Sequence, residues 1–121
     1  MTTTINWFEI PVANMDRAAK FYGALLDIEL PRGDFGKVPH AFFRNHDAMI
    51  GALVHDPQNK PSGQGNVVYF GSDDIEAAIA RVRELGVEVL LAKTDIGDPG
   101  FIALLRDSEG NRVGIHTPRT R

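Results

Sequence analysis

Glu9 is the residue of this sequence whose position most strongly suggests chemistry. It stands in the middle of the run Trp-Phe-Glu-Ile-Pro, whose aromatic and β-branched residues are typical of a strand. A carboxylate in such a run is costly to bury without a partner. Glu9 therefore either faces a functional site, or accepts backbone hydrogen bonds or an ion pair from Arg17 or Arg112.

His116 ends another strand-like run, near the opposite end of the chain. A carboxylate and an imidazole that flank one ligand could act as general base and general acid, provided that burial and mutual charge tune their pKa values. The same two groups could bind a polar or cationic ligand without chemistry. Tyr69, in a third run of this kind, would add a hydrogen-bond donor or serve only for packing.

An internal repeat, offset by about 60 residues, indicates which elements would position these side chains. Asn6–Ile10 aligns with Asn66–Phe70 as a strand, and a polar break follows each one. In both copies an apolar stripe with the spacing of one helix face comes next. The stripes consist of Met15, Ala18, Ala19, Tyr22 and Leu25 in the first copy, and of Ile75, Ala78, Ile79, Val82 and Leu85 in the second.

Capping residues bound these helices, and three short strands are predicted after each. Asn14 and Asp74 (or Asp73) fit as N-caps, while Asp27 and Gly86 fit as C-terminal stops. The predicted strands are Ile28–Leu30, Val38–Arg44 and Met49–His55 in the first copy, and Val87–Ala92, Phe101–Arg106 and Arg112–His116 in the second.

These elements predict an α+β fold of two βαβββ modules in a single domain, with a functional cleft between the modules. The first module covers about residues 4–55, a polar linker follows over 56–65, and the second module covers about residues 66–118. Neither module alone could cover its sheet well, so we expect the two to pack as one unit.

Composition excludes several classes of protein. The chain has 121 residues, 43% of them hydrophobic, which suits one domain with a sizeable core. It has no cysteine, so disulfides and thiolate chemistry are excluded. The net charge of −3 comes without a basic block, which argues against nucleic acid as a partner. Neither a signal-peptide pattern nor an apolar run of roughly 20 residues is present, so we expect a cytoplasmic protein that does not bind membranes.

Three stretches resemble the vicinal oxygen chelate superfamily, which includes glyoxalase I, extradiol dioxygenases, and fosfomycin- and bleomycin-resistance proteins. They are Trp7–Tyr22, Ser72–Ala78 and Asp107–His116. The resemblance covers nearly the whole chain and implies a curved mixed sheet around a cleft. It also implies a homodimer, and a small organic ligand as the partner.

Metal-using members of that superfamily take one ligand from the first and last strands of each module. The resemblance puts these positions at Trp7, Gly51, Val67 and Gly114, none of which can bind a metal through its side chain. We therefore expect a protein without a metal or another cofactor, or one whose metal lies elsewhere.

The same resemblance implies which residues line the cleft. If Trp7 faces it, strand alternation places Glu9 there too, and His116 likewise on the last strand. The repeat then sets Tyr69 opposite Glu9 and Leu53 opposite His116, in one row. Trp7 would offer a flat wall for stacking, or belong to the core.

The segment Lys93–Phe101 contains two glycines and a proline. It could cover the mouth of the cleft, with Lys93 and Phe101 touching the ligand, or be a simple connection. His40, His46 and His55 lie in or near turns and strand ends, so we expect their rings to be exposed to solvent.

Three functions remain open on this sequence. The favoured one is a metal-independent small-molecule binding protein, with the ligand near Glu9 and His116. Its expected contacts are Trp7, Leu53, Tyr69, Lys93 and Phe101. The second is a glyoxalase-like lyase or isomerase that uses Glu9 and His116 as acid and base. The third is a dimeric interaction subunit without a small ligand.

Overall fold

The described residues, 3–119 of this computed structural model, form two helices and eight strands. In chain order these are β1 (Phe8–Pro11), α1 (Met15–Leu26), β2 (Arg32–Phe35), β3 (Val38–Asn45), β4 (Ala48–Val54), β5 (Val68–Gly71), α2 (Ile75–Arg83), β6 (Glu88–Asp95), β7 (Phe101–Arg106) and β8 (Arg112–Thr117). The order is βαβββ twice, which confirms the predicted α+β class and its two modules. All elements fall inside the module bounds expected from the repeat.

Both helices begin at the N-caps that the sequence predicts. The side chain of Asn14 accepts a hydrogen bond from the Arg17 amide at 3.0 Å, and that of Asp74 accepts one from the Ala77 amide at 3.1 Å. Asp27 ends α1 in the left-handed conformation, with φ of 56°. Neither of these two helices is long and apolar enough to cross a membrane.

The end of α2 departs from the repeat. Its last residue is Arg83, and Gly86 turns the chain toward β6 with φ of 76°. Leu85 therefore lies beyond the helix and is 40% exposed, whereas its counterpart Leu25 is fully buried in α1. The repeat predicts both leucines in the core, and this is wrong for Leu85.

The second strand of module one lies later than predicted. Residues 28–30 form no strand, and β2 begins at Arg32. The Ile28 amide instead donates to the Gly23 carbonyl at 3.1 Å, which closes the end of α1. Leu30 packs partly against the core. Leu30 is apolar because it packs on the core without strand pairing, whereas Ile28 is 38% exposed.

The strands form two four-stranded mixed sheets, one in each module. The orders are β1-β4-β3-β2 and β5-β8-β7-β6. In each module the first strand runs parallel to the last, and the other neighbours are antiparallel. Register shifts at Val89/Leu91 and Leu91/Thr94 interrupt the pairing of the edge strand β6 with β7.

One core joins the modules, on the side of each sheet that carries its helix. The ring centroids of Phe8 and Phe70 lie 5.7 Å apart, and those of Phe43 and Phe70 lie 5.0 Å apart. Tyr22 of α1 meets Phe43 at a centroid distance of 5.6 Å. The opposite side of the first sheet carries a small second cluster of buried residues, Phe42, Ala52 and Val54.

The turn Asp107–Asn111, which we call the inter-module turn, ties module two to the start of module one. The Tyr22 hydroxyl donates to Asp107 Oδ2 at 2.5 Å, and the Asn111 side-chain amide donates to the Pro11 carbonyl at 2.8 Å. Burial, and then the charge of Asp107 and the hydrogen bond to it, raise the pKa of Tyr22 well above its usual value. The hydroxyl therefore keeps its proton and remains a donor.

Glu109, in the same turn, binds the residues that lead into α1. Its Oε1 accepts from the amides of Ala13 and Asn14 at 2.8 Å each, and Arg17 Nε lies 2.7 Å from Oε2. Burial disfavours the charged form of this carboxylate. Hydrogen bonds from Arg17, Asn14, Ser108 and Ala13 outweigh burial and lower the pKa of Glu109 from 4.5 to about 2.

Candidate functional site

Trp7 and Glu9 lie on the side of the first sheet that faces away from the core. Their neighbours Phe8 and Ile10 pack into the core, and successive strand residues point to opposite sides. Trp7 is 40% exposed, and Glu9 is exposed as well. The indole Nε1 donates a hydrogen bond to Glu9 Oε2 at 3.3 Å. This bond keeps the carboxylate beside a flat aromatic ring.

Four rings on this side of the sheet form what we call the aromatic wall: Trp7, Phe35, His40 and Phe42. The Phe42 centroid lies 6.4 Å from that of Trp7 and 5.7 Å from that of His40, with which it stacks at an interplanar angle of 23°. Phe35 meets His40 at 4.9 Å and Phe42 at 5.6 Å between centroids. The wall offers an aromatic surface, part of it exposed, next to a carboxylate.

His40 contradicts the prediction of a solvent-exposed ring. It is buried, and its Nδ1 lies 2.8 Å from the Val38 carbonyl oxygen. Sequence reasoning missed the wall residues His40, Phe42 and Phe35. Strand alternation could have found the first two, since His40 and Phe42 are two residues apart in a predicted strand. Phe35 lies in a strand that the sequence did not predict.

Leu53 and Gly51 do not face this side. In the pairing of β1 with β4, Glu9 is opposite Ala52 and Leu53 is opposite Ile10. Leu53 is fully buried in the core, so its predicted contact with a ligand is wrong. The repeat alignment is one residue out in β4, and a slip of one residue moves every side chain to the other side of a sheet.

In module two, Tyr69 and His116 also face away from the core. Tyr69 is 45% exposed, and its ring lies over Gly114, where an added Cβ would clash with the ring. His116 is opposite Gly71, two residues further along the paired strands. The His116 Nε2 lies 2.6 Å from the Pro99 carbonyl oxygen and donates a hydrogen bond to it.

Within a single chain, Glu9 and His116 have separate hydrogen-bond partners. Glu9 accepts from Trp7, His116 donates to Pro99, and within residues 3–119 neither side chain hydrogen-bonds to the other. The predicted common row is wrong at His116, because the residue opposite Tyr69 is Gly114. The chemical role of the two side chains stays a prediction.

Lys93 and Phe101 contact each other away from the Tyr69 side. Lys93 Nζ lies 5.0 Å from the Phe101 ring centroid, and the guanidinium carbon of Arg119 lies 4.8 Å from it. Phe101 packs partly against the core, whereas the next residue, Ile102, is opposite His116. The predicted contact of Lys93 and Phe101 with a ligand beside His116 is therefore wrong, because the ring lies on the other side of the sheet.

This fold has counterparts among known proteins. Residues 4–115 match the model of the Glyoxalase/Bleomycin resistance protein/Dioxygenase superfamily. The chain belongs to this superfamily. The match spans both modules, and so confirms the family that the sequence resembles.

Relatives in the superfamily are distant. The chain is 29% identical over 119 residues to "Putative glyoxylase CFP32" of Mycobacterium tuberculosis, covering 93% of this chain and 44% of that protein. It is 26% identical over 123 residues to "Anthracycline biosynthesis protein DnrV" of Streptomyces peucetius, covering 90% and 45%. The chain thus spans less than half the length of these relatives.

A solved structure of similar length shows the same fold. TnmS3, described as an antibiotic binding protein from Streptomyces sp. CB03234, superposes with a TM-score of 0.72 at 23% identity. The match covers 98% of both chains. The two βαβββ modules therefore occur together in a known protein of this size.

The residues at the superfamily's metal positions do not fit a divalent ion. In the observed register of β4, the position expected at Gly51 falls on Ile50 or Ala52. The side chains of Ile50, Ala52, Trp7 and Val67 carry no donor atom that divalent ions prefer. Within the described residues, no three His, Asp or Glu side chains cluster closely enough to share an ion. Metal independence stays a prediction for experiment.

Proposed function

We propose that this superfamily member is a metal-independent binding protein for a small, planar, positively charged organic molecule. The ligand stacks on the aromatic wall, and Glu9 supplies the opposite charge. The observation that carries this proposal is the hydrogen bond from Trp7 to Glu9, which sets a carboxylate at the edge of an exposed aromatic surface. Ring faces attract cations, and an ionised partner strengthens the hydrogen bonds of a charged ligand.

The relatives support small-molecule binding as the general function. TnmS3 is described as an antibiotic binding protein, and DnrV as an anthracycline biosynthesis protein. Both are less than 30% identical to this chain. The proposed ligand class therefore rests on the aromatic wall and Glu9.

A second copy of the chain completes the ligand cleft in this proposal. In one chain the wall rings Trp7 and Phe35 and, in module two, Tyr69 are exposed to solvent, whereas the wall rings His40 and Phe42 are already buried. A homodimer that sets the wall of one copy against module two of the other would shield both from water. Tyr69 and His116 of the second copy would then line the same cleft as Trp7 and Glu9.

A titration with proflavine, a planar aromatic cation, tests the ligand class. Trp7→Ala and Glu9→Gln should each raise the Kd about tenfold or more, which corresponds to about 1.4 kcal/mol of binding free energy. Glu84→Gln is the matched control, since it removes an exposed carboxylate at the end of α2. Anthraquinone-2-sulfonate, a planar anion, should bind more weakly than proflavine. Equal affinity for the two dyes, or a Glu9→Gln protein that binds like the wild type, would refute the proposal.

Catalysis by Glu9 and His116 is the alternative, a glyoxalase-like lyase or isomerase. Catalysis requires both side chains at one substrate. The variant Glu9→Gln, already used above, distinguishes catalysis from binding. Glu9→Gln should abolish turnover by an enzyme, whereas a binding protein should lose only part of its affinity. An interaction subunit without a small ligand would form dimers and bind neither dye.

Native mass spectrometry of untagged protein, purified without chelators, tests the assembly and the metal together. We expect a dimer without a bound metal, with or without an organic adduct. One metal per chain would contradict metal independence, and a monomer at high concentration would contradict the shared cleft. A cytoplasmic location remains a prediction that fractionation of the source cells can test.

A further inference from the structure

The imidazole of His40 is a polar ring inside an aromatic surface. His40 is only 6% exposed, and its ring stacks on Phe42 and meets Phe35 edge-on, with a centroid distance of 4.9 Å to the latter. Packing alone would be served equally well by an apolar ring at this position. A buried polar ring needs hydrogen-bond partners for its nitrogens, so each nitrogen of His40 has to be accounted for.

The contact with Val38 shows where the neutral imidazole carries its proton. Nδ1 lies 2.8 Å from the Val38 carbonyl oxygen, and a carbonyl oxygen only accepts hydrogen bonds, so Nδ1 is the donor. In the neutral ring, Nε2 then carries a lone pair and no proton. Nε2 is also not bonded to Cγ, and so lies on the ring edge that is farther from the main chain of His40.

Nε2 is open to an incoming ligand. Within residues 3–119, the bond from Nδ1 is the only hydrogen bond of this ring, and no enclosed side-chain nitrogen or oxygen lacks a partner. Nε2 is therefore not enclosed, and belongs to the small part of the ring that solvent reaches. Water satisfies this acceptor in the free protein, and a ligand that stacks on the aromatic wall displaces that water.

Glu9 and His40 lie on the same side of the first sheet, at a distance that one ligand can span. Glu9 and Phe42 are both opposite Ala52, and His40 is two residues from Phe42 on β3. The two residues are thus two strand spacings apart and two residues apart along the strands, which corresponds to roughly 12 Å between their Cα atoms. A planar cation of three fused rings is long enough to approach both side chains.

We infer that His40 Nε2 makes this site selective for planar cations that carry an N–H donor at the end remote from Glu9. This inference rests on the proposed function and names a narrower class of ligand for the same site. A cation without an N–H would cover Nε2 and leave it without a partner, which lowers affinity because the lost hydrogen bond to water is not replaced.

Thionine and methylene blue are matched probes for this selectivity. Both are planar phenothiazinium cations, but thionine has an amino group at each end, whereas methylene blue has dimethylamino groups and no N–H. We would titrate both at slightly alkaline pH, where histidine side chains are ordinarily neutral. His40→Phe, which keeps an aromatic ring, should weaken thionine binding about tenfold and change the methylene blue affinity by less than about twofold.

Two further variants separate the hydrogen bond from a merely structural role. His40→Gln keeps an acceptor of similar reach, and should recover part of the thionine affinity that His40→Phe loses. His46→Phe is the matched control, because it makes the same change at an exposed histidine in the turn between β3 and β4. It should leave the affinities for both dyes unchanged. A structural effect of His40→Phe would weaken both dyes alike.

Nitrogen-15 NMR of histidine-labelled wild-type protein tests the same contact without a substitution, and so serves even if His40→Phe does not fold. A hydrogen bond from the ligand to Nε2 should move its resonance upfield by far more with thionine than with methylene blue. Equal shifts with the two dyes, or an equal loss of affinity for both in His40→Phe, would overturn the inference and leave the proposed function standing. Failure of both dyes to bind would overturn the two together.

Discussion

The hydroxyl of Tyr22 in module one donates a hydrogen bond to Asp107 in module two, at 2.5 Å and inside the core. Tyr22→Phe keeps the ring but leaves Asp107 Oδ2 with the Asn111 side chain as its remaining donor. The free energy of unfolding should fall by about 1–3 kcal/mol, since a buried carboxylate loses a partner. Urea denaturation measures this loss. Tyr69→Phe, at an exposed tyrosine, should change stability by less than about 0.5 kcal/mol, and equal effects of the two substitutions would contradict the account.

The free energy of unfolding should fall in acid because Glu109 becomes protonated. Its pKa is lowered from 4.5 to about 2 in the folded protein, so the unfolded chain binds the proton more readily. The contribution of Glu109 is therefore complete above its unfolded pKa and is lost as the pH falls toward 2. Urea midpoints measured across this window should decline for the wild type.

Glu109→Gln supplies the control for this acid dependence. It should be less stable at neutral pH by about 1–3 kcal/mol, because it loses the ionic hydrogen bonds to Arg17 and to the backbone. Its midpoint should then fall less than that of the wild type between neutral pH and acid. If the urea midpoints of the wild type and of Glu109→Gln fell equally with pH, other carboxylates would dominate the acid dependence.

Position 51 must be glycine because the ring of Phe8 in the core fills the space that a Cβ would need. A Cβ at position 51 would lie no more than 2.6 Å from Cδ2, Cε2 and Cζ of that ring, which is well inside van der Waals contact and is a clash. Gly51→Ala should lower the free energy of unfolding by about 1–3 kcal/mol, the usual cost of overpacking. Gly71→Ala is the control, because an added Cβ there meets nothing within 4 Å. Thermal melts of both variants measure the difference. A Gly51→Ala protein with an unchanged melting temperature would mean that the Phe8 ring moves aside freely.

Trp7 is the only tryptophan of the chain, so its emission reports on the aromatic wall. If a second copy covers the wall, dilution should shift the emission to longer wavelength as the indole becomes hydrated. Proflavine should quench the emission of the concentrated protein. Analytical ultracentrifugation over the same concentration range provides the comparison, and an emission spectrum that stays constant while the dimer dissociates would place the interface elsewhere.

The features that the sequence predicts correctly are those controlled by local signals. Asn14 and Asp74 cap the helices and Asp27 ends α1, because each acts through its own backbone and nearest turn. Seven of the eight strands follow from apolar alternation and turn residues. The second strand, β2, was missed because the apolar residues lie in the connection before it, where Leu30 packs on the core without strand pairing. Glu9 is exposed, as expected of a carboxylate inside a strand run that has to face away from the core or find a partner, and its role in a site stays a prediction.

Long-range register was not predictable from the repeat. A shift between Phe43 and Arg44 in the β3–β4 pairing changes which residues of that hairpin share a side, and a comparison of the two copies does not reveal it. Leu53 was placed on the wrong side of the sheet for this reason. The aromatic wall depends on contacts among β2, β3 and Trp7, the residue before β1. The hydrogen bond between His116 and Pro99 depends on the path of a loop. These relations arise from tertiary packing, which single-sequence periodicity does not encode.

The irregular pairing of β6 bears on how copies of this protein can associate. A regular, flat edge strand is a template on which another chain can add by backbone hydrogen bonds, and this is a common route to fibrils. The two register shifts in β6 and the charges of Lys93 and Asp95 near its end make it a poor template. Fibril growth by addition of strands to β6 is therefore not expected, even in concentrated solutions.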